Sequence, residues 1–157
     1  MENAGSWGFV ILTVNQNLIQ RQELLAKIKK FLPDLLIQCA GEGYYGEASL
    51  DEVEHQLSLV QLNVNAALEI MLTTTRLWLS KGIQGTVLNV SSVAGELVFP
   101  CFAVYSASKS FLSKVSCALD YELRNKGIRV LVACPGQVKT DFFKKTSQGA
   151  LSEHPSK

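Results

Sequence analysis

Four short, largely apolar runs alternate with much longer stretches of helical periodicity. The runs are Phe9-Val-Ile-Leu-Thr-Val14, Leu35-Leu-Ile-Gln-Cys39, Thr86-Val-Leu-Asn-Val90 and Ile128-Arg-Val-Leu-Val-Ala133. Each has the length and side-chain type of a buried strand, because a half-exposed strand alternates polar with apolar residues instead. The order β-α-β-α-β-α-β predicts the α/β class, a parallel sheet covered by helices on both faces. A length of 157 residues suits one domain.

The connecting stretches carry start and stop signals. Leu24, Leu25, Ile28, Phe31 and Leu32 form one helical stripe, which Pro33 ends. Ser49 and Glu52 have capping-box spacing, so a helix is expected from there to about Leu79, irregular near Asn63 to Asn65 and closed at Lys81-Gly82. A further helix is expected from about Ala103 to Lys126, with Phe111, Val115, Ala118, Leu119 and Leu123 facing inward and Gly127 just past its end. The tail from Ser147 is polar and is expected to fray.

Charge and cysteine usage exclude several classes. Net charge is +1 with 18% charged residues, which gives no electrostatic reason to bind nucleic acid or a membrane surface. No apolar run approaches the ~20 residues of a membrane span, and the start has no secretory-signal pattern. Cys39, Cys101, Cys117 and Cys134 show no C-x-x-C spacing, so they read as reduced, mostly buried thiols of a cytoplasmic protein. His55 and His154 have no ligand spacing with them, so no metal site is expected and both read as solvated. Asn89-Val90-Ser91 fits a glycosylation pattern but lies in an expected buried strand.

In such a sheet, ligands bind at the carboxyl ends of the strands. Gly41, Ser91-Ser92 and Pro135-Gly136 fall there. Tyr105 and Lys109 stand four apart, on one helix face. A cation beside the phenol favours the tyrosinate and is expected to lower its pKa, as an acid/base group requires. Ser92 could hold a substrate oxygen against that phenol. A lone Tyr-x-x-x-Lys pair is weak evidence in a chain with four tyrosines; the ordered set of strand-end elements is far more specific.

Tyr105-Ser-Ala-Ser-Lys109, Asn89-Val-Ser-Ser-Val-Ala-Gly95 and Cys134-Pro-Gly-Gln-Val-Lys-Thr140 together resemble the short-chain dehydrogenase/reductase family. Cys39-Ala-Gly41 resembles the end of the family's Asn-Asn-Ala-Gly motif, with Gln38 and Cys39 in place of the asparagines. The resemblance spans about residues 9–143. It implies an NAD(P)-dependent oxidoreductase moving hydride between nicotinamide and a carbonyl or secondary alcohol. Tyr105 would be the general acid/base, Lys109 would lower its pKa and hold the nicotinamide ribose, and Ser92 would orient the substrate. The family's fourth residue is a helix asparagine serving a proton relay. Asn63 and Asn65 compete for it; Asn65 is preferred because Thr73 and Gly85 then fall where the family has them. Ala40, Gly41, Tyr105, Lys109, Pro135, Gly136, Val138 and Thr140 are the cofactor residues the resemblance implies. Phe99, Phe142 and Phe143 are candidates to line an apolar pocket.

The resemblance also implies an incomplete fold. The family's glycine-rich turn has no counterpart before Val10, and the opening resembles the family's third strand. The first two strand-helix units and the C-terminal lid and last strand are therefore expected to be missing. The expectation is one partial doubly wound, Rossmann-like domain over residues 1–157. Its sheet would have four strands, with the Phe9–Val14 run beside the Leu35 run, and only the nicotinamide half-site for NAD or NADP would remain. A homodimer or heterodimer through the helices bearing Asn65 and Tyr105 is implied as well. The alternative reading is a truncated, non-catalytic chain acting as a dimerisation or interaction module.

Overall fold

The computed structural model describes residues 18–137 together with Phe142 and Thr146. The Phe9–Val14 run, Val138, Thr140, Phe143, His154 and the polar tail lie outside the described residues. The elements in chain order are α1 (Leu18–Phe31), β1 (Leu35–Gln38), α2 (Val53–Val60), α3 (Ala67–Lys81), β2 (Gly85–Val90), α4 (Ala103–Leu123) and β3 (Ile128–Ala133). Among the described residues the sheet is parallel, in the order β1-β2-β3. Leu35 pairs with Thr86 at one boundary, and Gly85 pairs with Ile128 at the other.

The helix cover differs from expectation. Leu36, Val87 and Val130 share one cluster with Met71 and Trp78 of α3 and Leu123 of α4. Leu24 and Ile28 of α1 join Ile70 and Leu36 beside it. All three helices thus lie on one face. For α3 and α4 the cause is topological: right-handed connections through β1, β2 and β3, which advance in one direction, drop both helices on the same side. Leu35, Ile37 and Leu131 on the opposite face are 45%, 56% and 40% exposed among the described residues.

α1 buries Leu24 and Ile28, but Phe31 and Leu32 are exposed rather than inward. Leu32 adopts the left-handed region (φ 48°), which turns the chain off the stripe before Pro33. Trp78 is fully buried, and its Nε1 donates to the Pro33 carbonyl at 2.6 Å. Gly85 lies flat on that indole, and a Cβ there would be 2.9 Å from three ring carbons. Gly85→Ala is therefore expected to cost about 1–3 kcal/mol by overpacking, read as a lower urea midpoint at unchanged m-value.

The capping box does not form. Residues 48–50 turn, α2 starts at Val53, and Glu52 makes no side-chain cap. Asp51 serves the helix start instead, accepting from His55 Nδ1 at 2.7 Å and Gln56 Nε2 at 2.5 Å. His55 is therefore a half-buried partner, not a freely solvated one. The expected irregularity between α2 and α3 is a π-helical turn over Gln61–Ala66. Gly82 and Gly127 end their helices with φ of 65° and 79°, where a side chain would be strained.

α4 packs Val115, Leu119 and Leu123 inward as periodicity indicates, and beside them it buries a hydroxyl-bearing face that periodicity does not. Phe111 and Ala118 point outward, whereas Ser106, Ser108, Ser113 and Ser116 are buried. Ser113 and Ser116 have partners on or just beyond β2. Asn89 Nδ2 donates to Ser116 Oγ at 2.8 Å, and Ser91 Oγ lies 2.8 Å from Ser113 Oγ. Asn89 is fully buried, so its glycosylation pattern has no structural access. Cys39, Cys117 and Cys134 are exposed and Cys101 is half-buried, all as free thiols. Cys39 and Cys134 escape burial because each stands one residue past the end of its strand. No helix among the described residues is long and apolar enough to cross a membrane.

Candidate active site

The strand ends converge as the fold class requires. Beyond β2, Ser91 N–H donates to the Ala133 carbonyl at 2.7 Å and Val93 N–H to the Pro135 carbonyl at 3.1 Å, which ties the Pro135-Gly136 turn to the Ser92 loop. Ser92 opens a short 3₁₀ turn, and its Oγ accepts from Ala94 N–H at 3.2 Å. Gly95 in that turn rests on the α4 backbone: a Cβ there would be 2.7 Å from Ser110 N. The absent side chain lets the Ser92 loop lie flush against the helix that carries Tyr105 and Lys109.

Tyr105 and Lys109 are one turn apart on α4, 7% and 5% exposed. The Ser92 hydroxyl is near enough to the phenol to act on its titration. Lys109 Nζ donates to the Val90 carbonyl at 3.0 Å and lies 5.7 Å from the Tyr105 ring centroid. Burial pushes the Tyr105 pKa above its usual range, and the Ser92 hydroxyl pulls it partly back. Burial pushes Lys109 below its usual range, opposed by the nearby Cys39. The expected lowering of the tyrosine pKa is thus not its net direction here. The reason is physical: both groups are desolvated, and the ammonium is aimed at a backbone carbonyl rather than at the phenol oxygen.

Gly41 closes the first strand end over the same amine. A Cβ there would be 3.0 Å from Lys109 Nζ and 3.4 Å from Asn63 Oδ1. Ala40 is exposed just before it. The structure therefore brings Gly41, Ser92, Tyr105 and Lys109 together and joins Pro135-Gly136 to them through the ladder.

Asn65 is not among them. It is exposed, and its Nδ2 donates to Gln61 Oε1 at 2.6 Å on the same helix. Asn63 is the inward asparagine, 2% exposed. Its Oδ1 accepts from Glu42 N–H at 3.0 Å, and its Nδ2 donates to the Glu42 carbonyl at 2.7 Å and to Ser108 Oγ at 3.0 Å. Asn65 was preferred on residue counts to Thr73 and Gly85, which say nothing of which way a side chain faces. A better signal was available: Gln61, Asn65 and Glu69 form a polar stripe at i+4 spacing, whereas Asn63 follows Leu59 by four and sits beside Leu62.

The pocket aromatics also differ. Phe102 was missed, yet it stacks on Tyr105 with ring centroids 4.3 Å apart. Phe142 packs on Tyr105 at 5.5 Å, while Phe99 meets Phe102 at 5.8 Å rather than the phenol. Phe99 also borders an open groove of about 460 Å³ with Ala103 and Ala107. The described residues hold no cluster of metal-ligating side chains.

A family model described as short chain dehydrogenase matches residues 9–150. The chain is 30% identical over 147 residues to the glycine betaine reductase ATRR of Emericella nidulans, covering 90% of this chain and 12% of that protein. It is 33% identical over 120 residues to the NADPH-dependent 3-dehydrocapnine reductase of Ornithobacterium rhinotracheale, covering 73% of this chain and 42% of that protein. The solved short-chain dehydrogenase of Leptospira borgpetersenii with bound NAD+ superposes with a TM-score of 0.73 at 25% identity, covering 88% of this chain and 57% of that one. The chain spans about half the length, or less, of the curated relatives it matches.

Proposed function

The chain belongs to the short-chain dehydrogenase family, and from that membership we propose that it works as an NAD- or NADP-dependent oxidoreductase on a carbonyl or secondary alcohol, with Tyr105 as its acid/base. The observation that carries this reading is the buried Tyr105 beside Ser92 at the strand ends, with Lys109 one turn behind.

In the reducing direction Tyr105 gives its phenolic proton to the carbonyl oxygen, and it takes that proton back when an alcohol is oxidised. Ser92 Oγ is placed to hold the same oxygen against the phenol. A buried ammonium beside the site stabilises a transient tyrosinate. Asn63, rather than Asn65, is the inward helix asparagine, and it holds the π-turn to Glu42 because its side-chain amide is committed to three hydrogen bonds. Lys109 would hold the nicotinamide ribose, with Ala40, Gly41, Pro135, Gly136, Val138 and Thr140 along the cofactor. A bare backbone at Gly41, lying against Lys109 Nζ, fits that role, as does the open space around Gly136. The cofactor, when bound, supplies or accepts the hydride. An NADPH-dependent reductase and a dehydrogenase with bound NAD+ among the similar proteins support a nicotinamide cofactor without choosing between the two.

Exposed Leu57 and Phe111 support subunit pairing through α2 and α4. Free, exposed thiols support a reducing, cytoplasmic setting. Titrating the chain with NADH and with NADPH, read by nicotinamide fluorescence, tests the proposal. Saturable binding in the micromolar range of one of them is expected; a linear response up to millimolar cofactor would overturn it.

A further inference from the structure

Phe102 is more deeply buried than Tyr105 itself, and no acid/base step needs it. It precedes α4 and is 4% exposed. Its N–H donates to the Phe99 carbonyl at 3.1 Å, and its carbonyl accepts from Ser106 N–H at 2.9 Å. Cys101 before it holds the left-handed region (φ 62°), which a residue with a side chain enters only at a cost of about 1–3 kcal/mol. That strained turn is pinned by Gly46 N–H donating to the Cys101 carbonyl at 2.7 Å. Tyr45 and Phe99 meet Phe102 in T-shaped contacts at 5.9 Å and 5.8 Å. A flat face of Phe102 lies on Tyr105 with the planes 25° apart.

The rest of the phenol is boxed as tightly. Gly43 approaches without a side chain: a Cβ there would lie 3.0 Å from Tyr105 Cδ2 and 3.1 Å from Phe102 Cε2. A tyrosine near a helix N-terminus can otherwise rotate its ring and swing its hydroxyl away from Ser92. Stacking on a fixed ring removes that freedom.

We propose that Phe102 is a positioning residue for Tyr105, its stacked ring setting the plane in which the phenol meets Ser92. The proposal rests on the acid/base reading of Tyr105. Three variants test it: Phe102→Leu removes the ring and keeps bulk, Phe102→Met fills the gap differently, and Phe102→Tyr keeps the ring. Two readouts are taken. One is kcat and cofactor KM for ketone reduction. The other is phenolate absorbance of Tyr105, isolated as the difference from Tyr105→Phe.

A stack contributes up to about tenfold in an equilibrium. Phe102→Leu and Phe102→Met are expected to lower kcat by about tenfold with cofactor KM unchanged. The Tyr105 midpoint should fall toward the ordinary tyrosine range, and Phe102→Tyr should restore both values. Unchanged kcat and midpoint in Phe102→Leu would overturn the proposal. So would loss of the far-ultraviolet signal in both ring-free variants, since Phe102 would then be a folding requirement and nothing more. If the wild-type chain turns nothing over, the acid/base reading fails, and the phenolate titration still decides whether Phe102 positions the phenol.

Discussion

On the proposed acid/base role, Tyr105→Phe is expected to lower kcat for ketone reduction by a factor on the order of 10²–10⁴ while leaving the fold in place. The substitution keeps the ring that stacks on Phe102 and packs on Phe142, and deletes one oxygen. That oxygen is the one whose titration Ser92 acts on. Removing it costs about 1 kcal/mol of stability or less, because the phenol is also relieved of its buried polar group. Water can still reach a carbonyl oxygen, so the loss is a ratio and not an absolute zero. Single-turnover traces of nicotinamide absorbance measure it, and a variant that reduces ketone at the wild-type rate would remove Tyr105 from the chemistry.

Asn63→Ala is expected to lower stability by about 3 kcal/mol, and Asn65→Ala to change it by less than about 0.5 kcal/mol. The contrast follows from where the two amides point. Asn63 bonds both backbone groups of Glu42 and reaches Ser108, whose Oγ in turn donates to the Tyr105 carbonyl at 2.7 Å. Truncating it removes three buried bonds and the tie between the Gly41 loop and α4. Asn65 loses one exposed bond to Gln61, and alanine is the better helix former there. For a chain of this size the Asn63 effect corresponds to a melting temperature lower by roughly 6–12 °C. Equal melting temperatures for the two variants would refute the assignment.

The strands were readable because each run is short and bounded by turn residues. The Ile128–Ala133 run is β3 residue for residue, and the Leu35 run overshoots β1 only at Cys39. Sheet topology puts Ser92 at the strand ends, helical spacing puts Tyr105 and Lys109 on one face, and the family resemblance joins the three at one site. What escaped depends on partners distant in sequence. Ser113 and Ser116 lie inside only because Ser91 and Asn89 offer them bonds, and helical periodicity ranks serine outward. The inward turn of Asn63 needs the loop at Glu42. The upward shift of the Tyr105 pKa needs the burial around it, which no spacing of tyrosine and lysine encodes.

The hydroxyl-rich seam between β2 and α4 has one more consequence. An apolar seam lets a helix creep along its axis at little cost, whereas bonds of 2.8 Å from Ser91 to Ser113 and from Asn89 to Ser116 act as a ratchet. They index α4, and Tyr105 with it, against the strand that leads to Ser92. Alanine or valine at Ser113 or Ser116 would make a greasier seam that tolerates heat well and holds position poorly. Selection for thermal resistance alone would thus erode the alignment on which the acid/base pair depends. The hardiest descendants of this chain would be the ones whose turnover most needs checking.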